Sequence, residues 1–511
     1  MSDNFDKKRL VKNSTTLYIR MMFTMALNLL TTRFVLSNLG VEDMGVFSVV
    51  GSIVNMFAIF VSGLLSAAQR FITFEMGKKD GNIALVFSTC SNIILAVSVL
   101  LFLLLEIGGL WMLNYSVNLP EQSENAAKWV LQFSIFTCLL NLNSTCYNAI
   151  LIAHEKMNLW AFISALQVLL GCIAAYCISC FPNNDRLIYY SLLGLLVQFF
   201  IRLLYFLYCI RHFPETKFSK KIDVQLVKSI AKYTGASSVS GLLQVFITQG
   251  LVLIINWTYG VAINAVYNIG LQVKNSVLSF GMNIFKAVQP QITKTYAAGE
   301  FDKHEKLVYS GSKIGSYMIM IILIPFCVHS HYIMRLWLGT VPPYASSFAM
   351  AFVFQSLLYA SLEPFRTAVL ATGNVAKFFI YSELIHSLVL PLAYYWGAQY
   401  ETPIPLIIII VAMEFVYCAS MIVLGSKVSI PTINGIFRHV VVPCFLVGIV
   451  SAIPCYFISL SMEDNIGTLI FQLVLGSIIF SIVVLLIGIN QYERRMVVQV
   501  VNAVKIKIGY K

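Results

Sequence analysis

Two stretches of this chain decide its fold: residues 40–73, GVEDMGVFSVVGSIVNMFAIFVSGLLSAAQRFIT, and residues 260–293, GVAINAVYNIGLQVKNSVLSFGMNIFKAVQPQIT. They align without a gap at an offset of 220 residues. The identical pairs include Gly40 and Gly260, Val41 and Val261, Val46 and Val266, Asn55 and Asn275, Phe60 and Phe280, Gln69 and Gln289, Ile72 and Ile292, and Thr73 and Thr293. Identity that keeps one register across helices and turns indicates an internal repeat. The sequence therefore predicts a duplicated chain.

The composition places this duplication in a membrane. Hydrophobic residues make up 58% of the chain, charged residues 11%, and the mean hydropathy is +0.80, which together exclude a soluble globular domain. Apolar runs near 20 residues, long enough to cross about 30 Å of hydrocarbon, recur along the chain. Fourteen spans are predicted to begin near Leu17, Gly45, Val86, Trp129, Leu159, Leu187, Ser229, Ala262, Tyr309, Ser347, Phe378, Pro403, Ile436 and Gly467. We expect an all-α polytopic membrane protein.

Basic residues fix the expected orientation. The predicted outer loops hold only Lys128, Arg186 and Arg335, whereas the predicted inner loops and tails hold 24 Lys and Arg residues. Because cytoplasmic loops carry the excess of Lys and Arg, both termini are predicted to be cytoplasmic, in a bacterial cytoplasmic membrane. The same rule accounts for the net charge of +12, so we expect no nucleic-acid partner.

The repeat also predicts the domain organisation. Its copies are six spans apart, an even number, so they cross the membrane in the same direction. Two parallel six-helix lobes, related by an axis along the membrane normal, would place a ligand at their interface. The expected divisions are an N-lobe at 1–212, a cytoplasmic linker at 213–228, a C-lobe at 229–430, spans 13 and 14 at 431–490, and a basic cytoplasmic tail at 491–511.

Polar residues within the spans follow helical faces. In span 8 they fall within an arc of about 100°; they are Asn264, Asn268, Gln272, Asn275, Ser279, Asn283 and Lys286. Span 2 has a similar stripe of Ser48, Ser52, Asn55, Ser62 and Ser66. Shorter stripes are Arg20, Thr24, Asn28 and Thr31 in span 1, and Ser237, Gly241, Gln244 and Thr248 in span 7. A shared water-filled cavity is favoured, and hydrogen bonding between helices is the alternative.

Charges inside the spans add to this predicted site, since each is costly unless it faces protein or water. Lys274 and Glu414 lie nearest mid-membrane by position, and Arg202 lies closer to the inside. Lys274 lies off the arc that contains Asn275. The predicted substrate-binding residues are Arg20, Thr24, Asn28, Asn55, Arg202, Gln244, Asn268, Gln272, Lys274, Asn275, Asn283 and Lys286, with Glu414 as a candidate for ion coupling. Cations and amides suit an anionic substrate rich in hydroxyl groups.

The sequence offers little for catalysis. It has no Gly-rich phosphate-binding loop ending in Lys and Ser or Thr. Cys177 and Cys180 form an isolated pair, and His329 and His331 make only a weak metal or proton site, with solvated interface histidines as the alternative. We therefore expect no metal, no cofactor and no enzyme activity.

Four short motifs resemble a known family. Gly40–Gly45 (GVEDMG) and 66–71 (SAAQRF) resemble the start of Wzx-type polysaccharide flippases, and 153–157 (AHEKM) and 371–374 (ATGN) resemble their inner loops. Wzx-type proteins belong to the multidrug/oligosaccharidyl-lipid/polysaccharide exporter superfamily, and the likeness covers roughly residues 10 to 425. It implies a MATE-like pair of helical bundles that alternate access for a lipid-linked oligosaccharide.

The combined prediction is a flippase for a polyprenyl-pyrophosphate-linked oligosaccharide, moving from the inner to the outer leaflet for surface polysaccharide such as O-antigen or lipopolysaccharide. Its expected partners are that substrate, membrane lipids and polysaccharide polymerase machinery. A cation-coupled multidrug exporter of the same fold is one alternative. A membrane-bound polysaccharide polymerase or lipid-sugar transferase is another, although it would need longer catalytic loops.

Overall fold

The computed structural model describes residues 2–76, 78, 81–154, 156–216, 222–372, 376–460, 462–463, 465–490 and 493–494. No β-strand occurs in this part of the chain. Its α-helices are α1 (Ser2–Asn55), α2 (Ala58–Met76), α3 (Ile83–Leu104), α4 (Leu110–Tyr115), α5 (Glu124–Ala153), α6 (Met157–Cys177), α7 (Arg186–His212), α8 (Val224–Ala297), α9 (Phe301–Leu338), α10 (Ala345–Ala371), α11 (Ala376–Ser387), α12 (Val389–Gly397), α13 (Ile404–Gly425), α14 (Ile433–Ile436), α15 (Val442–Leu460) and α16 (Ile466–Val483).

Twelve helical stretches of the described residues are long and apolar enough to cross a membrane. Two of these stretches lie in α1 and α8, and each contains a break with a helical arm on either side, at Gly40 and Gly260. Counting the arms separately accounts for the fourteen predicted spans. The predicted all-α polytopic membrane fold is confirmed.

The two breaks have the same backbone conformation. Gly40 has φ 81° and ψ 178°, and Gly260 has φ 78° and ψ −174°. This region of backbone space is open essentially only to glycine, because a Cβ would clash with the neighbouring peptide groups. The two glycines are equivalent in the sequence repeat, so the duplication is visible in the backbone as well as in the residues.

Apolar side chains cover the outside of the spans. Exposed examples come from α3, α15 and the stretch that begins with α16: Leu95, Leu100, Phe457, Leu460, Ile470 and Leu486. In water this surface would be unfavourable, but hydrocarbon neither attracts nor repels it. The apolar exterior is therefore the surface expected to face lipid.

The chain forms two compact units, each assembled from several segments. Unit 1 comprises Met1–Asn268, Trp337–Pro342 and Leu390–Pro403; unit 2 comprises Ile269–Leu336, Pro343–Val389 and Ile404–Lys511. The predicted lobe boundaries at residues 212 and 229 stay a prediction. Residues 217–221 of the predicted linker and all of the predicted tail at 491–511 except residues 493 and 494 lie outside the described residues.

The core of unit 1 is a cluster of apolar side chains between α2, α3, α5 and α7. Its fully buried members include Ala67, Ile72, Leu142, Ala149 and Cys209. In unit 2, α10 packs closely on α13: a Cβ added to Gly425 would lie 2.5 Å from the Phe365 ring. These contacts hold the helices that carry the polar side chains described below.

The shared break geometry predicts the effect of adding one methyl group. Gly260→Ala should lower the free energy of unfolding by about 1–3 kcal/mol, because alanine is strained at that φ and ψ. An added Cβ at Gly260 would meet no other atom, so the loss of stability would come from the backbone conformation alone. The measurement is the apparent melting temperature of the purified protein in detergent.

A matched control is available in Gly194→Ala. An added Cβ there also meets nothing, but Gly194 lies in the helical interior of α7. Alanine should stabilise that position by about 1 kcal/mol. Equal melting temperatures for the two variants would contradict the assigned strain at Gly260.

Candidate functional site

The first part of the span 8 stripe forms hydrogen bonds between helices. In unit 1, Asn268 donates through Nδ2 to the hydroxyl of Ser48 and to the carbonyl of Asn264, the latter at 2.8 Å. Asn264 itself is fully buried. At this level of α8 the Asn268 amide therefore joins α8 to α1, as in the hydrogen-bonding alternative, whereas the side-chain amide of Asn264 has no hydrogen-bond partner among the described residues.

Ser48 and Asn268 also occupy equivalent positions of the repeat, 220 residues apart. Contact between equivalent positions arises where a two-fold axis passes between two copies. Nearby, a Cβ added to Gly45 would lie 2.0 Å from the carbonyl oxygen of Val261, so only glycine permits this approach of the two backbones. The second arms of α1 and α8 therefore meet directly.

The stripe changes character further along α8. Asn275 and Ser279 are exposed, one helical turn apart, and Gln272 is half-buried. The repeat equivalent of Asn275, Asn55, is exposed as well. An amide facing hydrocarbon loses its hydrogen bonds to water, so exposed amides at both equivalent positions indicate contact with water.

The other predicted amide and hydroxyl residues lie on α1 and α8. Asn28 and Gln244 are exposed, and Thr24 is half-buried with its hydroxyl donating to the Met21 carbonyl at 3.0 Å. The side chains of Arg20, Asn283 and Lys286 lie outside the described part of the structure, as do those of Ser62 and Ser237.

Lys274 points away from the exposed amides. In unit 2 its ammonium group donates to Gln355 Oε1 at 2.8 Å and lies 5.8 Å from the centroid of the Phe352 ring. Gln355 is buried and donates in turn to the Ile410 carbonyl at 3.1 Å. The cation is thus held by a neutral amide and an aromatic face between α8, α10 and α13.

Arg202 is the corresponding cation of unit 1. Its guanidinium carbon lies 4.3 Å from the centroid of the Tyr147 ring and 5.8 Å from that of Phe206. Its buried Nη1 has no hydrogen-bond partner in the part of the chain that the structure describes. An aromatic face attracts a cation without neutralising it, so this charge remains available to an anion.

Glu414 belongs to a cluster of charged groups in unit 2 whose other members lie on α10 and α11. Buried Glu414 lines a narrow cavity, together with Tyr359, Leu362, Glu363, Arg366, Tyr417, Cys418 and Met421. Arg366 lies 3.8 Å from Glu363, three residues earlier in α10, and also donates to the Tyr359 hydroxyl at 2.8 Å. The cavity therefore places two carboxylates beside one guanidinium.

A third carboxylate extends this cluster. Tyr417 donates its hydroxyl to Glu383 at 2.9 Å, and His386 lies 3.9 Å from the other oxygen of the same carboxylate. Glu383 and His386 are one helical turn apart in α11, a spacing that could have marked them in the sequence. Three carboxylates with one arginine and one histidine make a group that can hold a proton.

The weak metal candidates stay without support. Among the described residues no group of three or more His, Cys, Asp or Glu side chains could hold a metal ion. His329 is buried and bonds to Gln472 of α16, so it is not the solvated histidine that one interpretation expected. His331 is exposed.

Comparisons with known proteins identify a family and a fold. A family model described as polysaccharide biosynthesis protein matches residues 10–296. No curated protein matches the chain significantly.

Three solved structures share the fold. The chain is similar to the lipid II flippase MurJ in an inward closed conformation, at 14% identity, with 93% of this chain and 98% of that chain covered and a TM-score of 0.71. It is also similar to an inward-facing multidrug resistance MATE family transporter of the MOP superfamily, at 16% identity, with 81% of this chain and 97% of that chain covered and a TM-score of 0.66. For an outward-facing transporter of the same family the identity is 15%, the coverage is 81% of this chain and 95% of that chain, and the TM-score is 0.57. At these identities the likeness concerns the fold, and it confirms the predicted MATE-like architecture.

The exposure of Asn275 predicts its reactivity in the membrane. In a background without native cysteines, Asn275→Cys and Asn55→Cys should react with a hydrophilic, membrane-impermeant thiol reagent, because thiolates form only where water reaches. The measurement is labelling in native membrane vesicles of either orientation.

Two control positions separate water from lipid and from protein. Ile478 is 51% exposed on α16, and Ser276 is buried beside Asn275. Ile478→Cys and Ser276→Cys should stay unlabelled. If Asn275→Cys is as unreactive as Ile478→Cys from both sides, the amide face meets lipid and the cavity interpretation is wrong.

Proposed function

The chain belongs to the polysaccharide biosynthesis protein family, and from this membership we propose that it is a flippase for a polyprenyl-pyrophosphate-linked oligosaccharide. The substrate would move from the inner to the outer leaflet of a bacterial cytoplasmic membrane to supply surface polysaccharide. The observation that carries this proposal is the pair of exposed amides at Asn55 and Asn275, on equivalent positions of apolar helices.

The chemistry of the substrate explains why amides matter. Sugar hydroxyl groups lose their hydrogen bonds to water when they enter hydrocarbon, at a cost of several kcal/mol each. An asparagine side chain offers two donor hydrogens and an acceptor oxygen, so it can replace water whether the sugar hydroxyl group donates or accepts the hydrogen bond. A face that carries Asn275, Ser279 and Gln272 therefore lowers the barrier for a glycan without selecting one sugar.

The pyrophosphate is the second obstacle, since it brings about two negative charges into the membrane. Arg202 is attracted to aromatic rings and leaves Nη1 unbonded among the described residues, while Lys274 is bonded to the neutral Gln355. Both cations therefore keep charge that a phosphate could offset. We assign them to the pyrophosphate during transit.

The membrane potential supplies a driving force of the correct sign. Moving one charge across 100 mV is worth about 2.3 kcal/mol, so two negative charges leaving an inside-negative cell gain about 4.6 kcal/mol. Outward flipping can then proceed without a coupling ion. Glu414 and the carboxylates near it offer the competing mechanism, which is exchange against protons.

The same carboxylates favour a second candidate function, a cation-coupled multidrug exporter. Glu363, Glu383 and Glu414 lie within one unit on α10, α11 and α13, and an exporter of organic cations would use buried acids. The exposed amides and the two available cations suit a neutral glycan and its phosphates better. Measuring whether the protein transports the glycan or an organic cation would distinguish the two functions.

Neutral replacements test the role of the two cations. Arg202→Gln and Lys274→Gln should each slow flipping about tenfold. This factor corresponds to about 1.4 kcal/mol, the contribution of one hydrogen bond to a charged group. The assay uses proteoliposomes that contain lipid-linked oligosaccharide extracted from the source cells. Impermeant periodate reports the fraction of glycan in the outer leaflet over time.

Arg211→Gln is the matched control, because Arg211 is an exposed arginine at the end of the same helix as Arg202. It should flip at the wild-type rate. Wild-type rates in Arg202→Gln and Lys274→Gln would remove the pyrophosphate assignment, and a wild-type protein that exports a cationic dye but flips no glycan would establish the exporter instead.

The driving force can be tested in the same vesicles. With valinomycin and potassium gradients at fixed pH, the rate should fall when the potential is collapsed, and Glu414→Gln should flip like the wild type under both conditions. The opposite pattern, an unchanged rate after collapse together with inactive Glu414→Gln, would make proton exchange the mechanism.

A further inference from the structure

A concave site in unit 1 lies where the end of α12 meets the bend of α8. Its volume is about 700 Å³, within the usual range of small-ligand sites, about 300–1,000 Å³. The residues that line it, here called the α12 pocket, are Trp257, Thr258, Tyr394, Gly397, Ala398, Gln399, Tyr400 and Glu401. The loop charges predict that this end of the helices faces the outside.

Aromatic rings dominate the α12 pocket. Trp257 and Tyr394 meet edge to face, with ring centroids 6.3 Å apart and planes at 89°. Trp257, Tyr394 and Tyr400 are 42%, 54% and 44% exposed, so ring surface remains free, although one face of the Tyr400 ring stacks on Trp396 with centroids 5.6 Å apart. The electron-rich face of such a ring attracts the weakly positive C–H groups on the flat side of a sugar.

Buried contacts hold these rings in place. The side chain of fully buried Asn256 accepts from the Asn118 backbone N–H at 2.8 Å and donates to the Asn118 carbonyl at 2.9 Å. The neighbouring Trp257 donates its indole N–H to the Ser116 carbonyl. On the opposite wall, a Cβ added to Gly397 would lie 2.9 Å from the Thr258 methyl group. A site ordered before binding loses less entropy on binding.

The polar groups of the pocket select the kind of ligand. The side-chain amide of Gln399, the Tyr400 hydroxyl and the Glu401 carboxylate form no hydrogen bond within the described residues, so they are free to bond hydroxyl groups. The eight lining residues include one carboxylate and no basic side chain. A phosphate would be repelled by Glu401, whereas a neutral sugar would find both acceptors and aromatic faces.

We propose that the α12 pocket binds a neutral sugar unit of the glycan on the outer side of the membrane. The inference rests on the proposed flippase function. Bound there, the sugar would be kept from re-entering the membrane while the polyprenyl tail stays in the bilayer. Aromatic residues at a membrane interface also occur without any ligand, in the belt that anchors spans. The test must therefore separate a pocket from a belt.

The probe is the oligosaccharide released by mild acid from the polyprenyl-linked precursors of the source cells. Its binding to the full-length protein in nanodiscs is measured by calorimetry. The wild type should bind it saturably. Tyr400→Ala should weaken binding about five- to tenfold through loss of one stacking ring, Glu401→Gln should weaken it as well, and Tyr400→Phe should restore most of the affinity.

Tyr395→Ala is the matched control, because Tyr395 is 60% exposed on the same helix end but does not line the pocket. It should bind like the wild type. No saturable binding by the wild type, or equal affinities in Tyr395→Ala and Tyr400→Ala, would overturn the pocket and leave an interfacial belt. Melting temperatures identify any variant that fails to fold, and Tyr400→Phe and Glu401→Gln then carry the test.

Flipping by the same preparations distinguishes this inference from the function on which it rests. Wild-type protein that flips the lipid-linked oligosaccharide but does not bind the released glycan overturns the pocket alone. Protein that binds the glycan but flips nothing overturns the flippase and supports the pocket.

Discussion

Hydrocarbon cannot hydrogen-bond, and the rest of this structure depends on that constraint. Each backbone N–H and C=O inside the membrane must find a partner within its own segment, which leaves the helix as the regular element of a chain like this one. The two breaks inside α1 and α8 then need residues that turn the chain at little steric cost, and both fall on glycine with φ near 80°. Side chains obey the same constraint: Asn268 satisfies it with Ser48, whereas the side chain of the exposed Asn275 forms no hydrogen bond within the described part of the chain.

The charged groups divide into two kinds. Arg202 and Lys274 are held by rings and a neutral amide, while Arg366 lies beside the Glu363 carboxylate, which offsets its charge. Burying a charge without a salt bridge is costly, so the more informative observation is that neither Arg202 nor Lys274 forms a salt bridge among the described residues.

Much of the fold followed from patterns that are local in sequence. Apolar run lengths predicted the spans, and the register of the repeat predicted that Gly40 and Gly260 would be equivalent. The direction of Lys274 and the joining of Glu383 to Tyr417 could not be predicted, because they depend on which faces of distant helices pack together. Periodicity treated the span 8 stripe as one face, although the structure divides it into a bonded part at Asn268 and an exposed part at Asn275. The α12 pocket was missed for the same reason, since Trp257 and Tyr400 are far apart in the chain.

The hydrogen bond from Asn268 to Ser48 has an evolutionary consequence. In an assembly of two identical subunits, a position on the two-fold axis faces a copy of itself, so the same side chain must serve on both sides. Once the two copies are joined in one gene, each side of the axis can mutate alone. An amide can then be set against a hydroxyl, as here, where a homodimer would have to oppose serine to serine or asparagine to asparagine. Duplication within one chain therefore allows the two copies to differ chemically where they meet, which the copies in a homodimer cannot do.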